Sequence, residues 1–127
     1  MPLDASYKKL PACRTSMRLA SAVYALTRHF PDDEKSGLSA TLKRSAAALP
    51  TRLAESHQAA DPDGSARAID GAQTALRELG AYLDVAQRLR MTSRWRFRAA
   101  RRQADKLADR LGAMVDRLSE ADAERIS

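Results

Sequence analysis

The chain has 127 residues, a net charge of +6, 44% hydrophobic and 30% charged side chains, and only five glycines and five prolines. One cysteine, Cys13, excludes an intrachain disulfide and a cysteine-built zinc cluster, and no run approaches the roughly 20 apolar residues that cross a bilayer. A chain of this length buries a core without staples, and few breakers among many alanines favour helix, so one soluble, all-α, cytoplasmic domain is expected.

Residues 1–12, "MPLDASYKKLPA", carry two prolines and little periodicity and read as a leader. They contain no signal-type apolar stretch. Residues 13–127 are read as one unit of four helices, at about 14–30, 34–57, 64–90 and 93–122. In the first, Leu19, Val23, Leu26 and Phe30 recur at helical spacing until Pro31. Cys13, just ahead of them, is expected as a small buried group. "FPDDE" then supplies a turn with acids suited to the next helix N-terminus.

The second stripe runs Leu38, Leu42, Ser45 or Ala46, Leu49 and Leu53, with Pro50 inside it. A proline there removes one donor and crowds the preceding turn, which predicts a kink rather than an end. "HQAADPDGS" is turn chemistry with a capping serine nearby. The third stripe, Ile69, Ala72, Leu76, Leu79, Leu83 and Ala86, has Leu89 on its shoulder. Gly71 and Gly80 in this helix would admit a neighbouring backbone. "RMTS" ends it, with Thr92 or Ser93 capping a fourth helix lined by Phe97, Ala100, Ala104, Leu107, Leu111, Met114 and Leu118. Four stripes with short connections predict an antiparallel up-down-up-down bundle.

"QRLRMTSRWRFRAARRQ", residues 87–103, holds seven arginines and no acid: Arg88, Arg90, Arg94, Arg96, Arg98, Arg101 and Arg102. Arg94, Arg98, Arg101 and Arg102 share a helix face, where like charges repel, and the first-turn arginines oppose the helix dipole. Solvent or intramolecular acids, the acids of another subunit (Asp105, Asp109 and Asp116 continue the face), or a bound RNA or DNA would each compensate. Trp95, about 200° around the helix from Phe97, cannot enter the same core.

Nothing in the spacing announces catalysis, a metal site or a cofactor pocket. His29 and His57 have no partner at ligand spacing, and no phosphate loop or nucleophile elbow occurs.

The stretch "VYALTRHFPDDEKSGLSATLKRSAAALPTRLAES" resembles the four-helix-bundle proteins encoded in intervening sequences of large-subunit ribosomal RNA genes. The resemblance rests on Phe30-Pro31, Glu34, Gly37-Leu38, Leu42 to Ala46 and Leu49-Pro50 through Ala54-Glu55, with "ALRELGAYLDVAQRL" similar to the family's third helix. Cys13, Arg52 and Ser56 stand where the family has tryptophan, asparagine and glycine. The resemblance implies a four-helix bundle assembled as a ring, usually a homopentamer, with no enzymatic activity. "ADRLGAMVDRL" is weakly similar to the last helix of a related branch, accessory proteins of diversity-generating retroelements. That likeness implies partners among nucleic acids and a nucleic-acid-processing protein, a reverse transcriptase. Glu55, beside a kink and a turn, is expected to bond loop backbone rather than do chemistry.

Overall fold

The computed structural model describes residues 10–31 and 37–126, with side chains to residue 124. The acids of "FPDDE" and the lysines of the leader, Lys8 and Lys9, lie outside them. Within them the chain forms α1 (Pro11–Thr27), α2 (Leu38–Gln58), α3 (Pro62–Arg88) and α4 (Arg94–Ile126), with no strand. The first helix starts inside the stretch expected as leader, because Pro11 occupies the opening turn, where a missing N–H costs nothing and the fixed φ suits a helix. The third starts at Pro62 rather than 64 for the same reason, and Asp61 caps it, its carboxylate accepting from Gly64 N–H at 2.6 Å. The expected capping serine, Ser65, instead joins the two helices, its hydroxyl 3.0 Å from that of Ser56.

Helix α1 packs on α2 and α4, and α3 packs on α2 and α4, so each helix has two principal neighbours. One cluster of buried residues fills the space between them, and the four stripes supply it. Leu19, Val23 and Leu26 of α1, Leu42, Leu49 and Leu53 of α2, Ile69, Leu79 and Leu83 of α3, and Leu107 and Leu111 of α4 are all 1% exposed or less. Phe30 is buried, Cys13 is fully enclosed, and Phe97, Met114 and Leu118 pack partly buried on the edge. Leu89 departs from the pattern. It caps α3 and is 61% exposed, because at about 100° per residue it falls roughly 110° around the helix from the centre of the buried stripe.

Helix α2 continues through Pro50 without ending. Helix α4, at 33 residues, is about 50 Å long by its rise and the longest of the four. Most polar side chains inside the bundle find partners, with the Gln103 Oε1 atom the exception among the described residues. The Ser16 hydroxyl donates to the Cys13 carbonyl at 2.7 Å, and Arg110 Nε of α4 donates to the Thr15 hydroxyl of α1 at 2.9 Å.

Gly71 and Gly80 of α3 admit side chains rather than a neighbouring backbone. A Cβ at Gly71 would stand 3.0 Å from Arg52 Nη1, and one at Gly80 would stand 2.9 Å from Arg101 Nη1. Each glycine is therefore a seat for a guanidinium reaching over from an adjacent helix. Glu55, expected to bond loop backbone, is exposed and its side chain makes no hydrogen bond among the described residues; the Ser56–Ser65 pair ties that turn instead.

Candidate functional site

The connection between α3 and α4 is short and tightly folded. Arg90 N–H donates to the Gln87 carbonyl and Met91 N–H to the Ala86 carbonyl, both at 2.9 Å. These two bonds make a Schellman ending, in which the residue after the cap adopts the left-handed conformation. That residue is Arg90, with φ 59°, while Met91 turns back into the core. Glycine is the usual occupant, because a Cβ in this conformation crowds the carbonyl. Ser93 then caps α4, its hydroxyl accepting from Arg96 N–H at 3.4 Å. No acid stands in the first turn of α4.

The junction displays the arginines unequally. Arg101 is held down: its guanidinium lies 3.7 Å from Asp84, 3.6 Å from Asp105 and 3.5 Å from the Gly80 carbonyl it bonds. The Arg101, Asp84 and Asp105 side chains are all well exposed, so the two ion pairs position Arg101 more than they stabilise the fold, at about 0–1 kcal/mol per exposed pair. Arg96 is half-buried, bonds the Ser93 hydroxyl and sits 4.4 Å over the Trp95 ring. The other five, Arg88, Arg90, Arg94, Arg98 and Arg102, are exposed and make no ion pair or side-chain hydrogen bond among the described residues.

Arg88, Arg90 and Arg94 line one cleft of about 530 Å³ with Gln87, Thr92 and a single acid, Asp84. That acid is already engaged by Arg101. The cleft therefore presents amide, hydroxyl and guanidinium donors, which suits an anion. Intramolecular neutralisation, one of the compensations weighed from the sequence, accounts for Arg101 alone.

Sequence reasoning joined all seven arginines into one surface; the folded chain separates Arg96 and Arg101 from the rest. Asp105 at i+4 was a readable partner for Arg101, whereas Asp84 reaches it from another helix. Arg90 carried no signal, since a left-handed position is normally announced by glycine or asparagine. Both histidines are exposed, and no group of three metal-ligating side chains occurs among the described residues. No helix among them is long and apolar enough to cross a membrane.

Replacing Arg90 with glycine relieves the left-handed strain, partly offset by the greater freedom glycine has when unfolded. Arg90→Gly is expected to stabilise the fold by about 0.5–1 kcal/mol, read as a raised urea midpoint.

A family model described as 23S rRNA-intervening sequence protein matches residues 8–113. The matched span takes in α1, α2, α3, the front of α4 and all seven arginines. No curated protein matches the chain.

Proposed function

The chain belongs to the 23S rRNA-intervening sequence protein family, and from that premise we propose a non-enzymatic interaction protein that binds RNA or DNA through the α3–α4 junction. The observation that carries this reading is the set of five exposed guanidiniums, at Arg88, Arg90, Arg94, Arg98 and Arg102, that have no partner among the described residues. A polyanion neutralises such a set and gains from released counterions. It also relieves the repulsion that the bare helix start carries.

The helices of this reading run up-down-up-down. In support, Gly80 and Asp84 of α3 meet Arg101 of α4, while Pro62 and Ala66 near the start of α3 share a groove with Leu118 and Asp122 near the end of α4. The working form is a ring of identical copies, the pentamer that the family resemblance implies. Such a ring repeats the patch and converts weak single contacts into avid binding.

A second reading has its own support. Asp109 and Asp116 lie exposed on α4 without an ion pair among the described residues, so a neighbouring copy offset along the helix would match arginines to aspartates. In that case the chain is a structural homo-oligomer that binds no nucleic acid.

Titration of the full chain with single- and double-stranded RNA and DNA at 50 mM salt separates the two. The nucleic-acid reading expects saturable binding that weakens steeply as salt rises. Absence of binding at that salt, together with a shift toward monomer by light scattering when Arg94, Arg98 and Arg102 are all changed to glutamine, assigns the arginines to a subunit contact instead.

A further inference from the structure

The exposed back of α4 carries more than arginine. Taking about 100° per residue, Arg98, Arg102 and Lys106 all fall within about 60° of Trp95 around the helix, at i+3, i+7 and i+11. Ala100, Ala104, Leu107 and Leu111, the buried residues of the same helix, fall about 120–180° away. The stripe thus points directly off the bundle. Its three cations are exposed and unpartnered among the described residues, and it spans about 16 Å from Trp95 to Lys106.

Trp95 is 67% exposed, more than any other large hydrophobic residue described. Arg96 lies 4.4 Å from the centre of its ring and backs the indole as a cation over an aromatic face. The fold gains little from an indole in this position. A flat aromatic surface braced by a guanidinium and followed by a row of cations is what stacking on a base requires, with phosphates led away along the helix.

Bases within a duplex are stacked on each other and offer no free face to an indole, whereas those of a single strand do. Resting on the nucleic-acid reading above, we infer that the outer stripe of α4, Trp95–Arg98–Arg102–Lys106, is a track for single-stranded nucleic acid, with Trp95 as its stacking platform. The α3–α4 cleft supplies charge without regard to strandedness. The stripe supplies the preference for an unpaired strand.

Trp95 is the only tryptophan in the chain, so its fluorescence reports this contact alone. The full chain is titrated at 50 mM salt with end-labelled oligothymidylate, oligouridylate and a DNA duplex of the same length, as wild type, Trp95→Ala, Trp95→Phe and Lys106→Gln, with label anisotropy giving affinity for every variant and Trp95 emission followed where the tryptophan is present. The expected result is quenching of Trp95 by both single strands. Trp95→Ala weakens single-strand binding about 5- to 100-fold and leaves duplex binding within about twofold, and Trp95→Phe recovers most of the loss. Lys106→Gln lowers the salt dependence of single-strand binding by about one contact. Unchanged fluorescence with bound single strands, or equal losses on single strand and duplex for Trp95→Ala, overturns the inference and leaves the arginine surface standing. A Trp95→Ala chain that binds as wild type but sediments as a smaller species also overturns it, making the stripe a subunit contact. If wild type binds neither form, the arginine reading fails and the track with it.

Discussion

Leu107→Ala is expected to lower the free energy of unfolding by about 3 kcal/mol, seen as a fall of about 1–2 M in the urea midpoint. Leu107 is fully buried on α4 between the buried Ala104 and Leu111, where that helix meets α1 and α3. Truncation removes the transfer free energy of the lost carbons and leaves a cavity that close-packed helices refill only in part. For a domain whose whole stability is on the order of 5–15 kcal/mol, that is a large share. Val115, eight residues further along α4 and 37% exposed, is the matched control. Val115→Ala should stay within about 0.5 kcal/mol of wild type, since a surface truncation opens no cavity. Equal losses at the two positions would contradict an interior closed around Leu107.

The second large effect has the opposite sign. Pro50 lies inside α2, where it can donate no hydrogen bond to the turn before it and its ring crowds the carbonyl four residues back. Pro50→Ala restores a donor and the best helix former. Part of that gain is returned because proline also restricts the unfolded chain. A net stabilisation of about 1–2 kcal/mol is expected, measured as a raised urea midpoint at unchanged slope. Loss of stability instead would show that the neighbouring helices are fitted to the proline ring rather than merely tolerant of it.

The contrast between these residues shows how much of the molecule was legible in advance. The four apolar stripes were readable because helical spacing alone decides which side chains can share an interior. Leu19, Leu49, Leu83 and Leu107 lie where that spacing puts them. Caps were readable where one side chain acts on its own helix, as Ser93 does at the start of α4.

What depended on a second helix was not. Gly71 and Gly80 read as places for a backbone to approach, yet they seat Arg52 and Arg101, because which neighbour fills a gap is set by the register of the other helix. The junction arginines read as one surface, yet Arg101 is drawn aside by Asp84 of α3, at 3.7 Å. The left-handed Arg90 breaks the local rule that would have revealed it. Trp95 could be excluded from the core by angle, but its open face depended on no loop folding over it.

In the nucleic-acid reading the exposed guanidiniums of the α3–α4 junction meet phosphates. The most direct measurement is the slope of log affinity against log salt for a single-stranded oligonucleotide, wild type against the chain with Arg94, Arg98 and Arg102 all changed to glutamine. Each lost phosphate contact flattens that slope by about 0.7 for a single strand, so a reduction of about 2 is predicted, with the unfolding midpoint unchanged or slightly raised, because the three side chains are exposed and unpaired among the described residues and their removal relieves like-charge repulsion. The same slope in both proteins would contradict the claim.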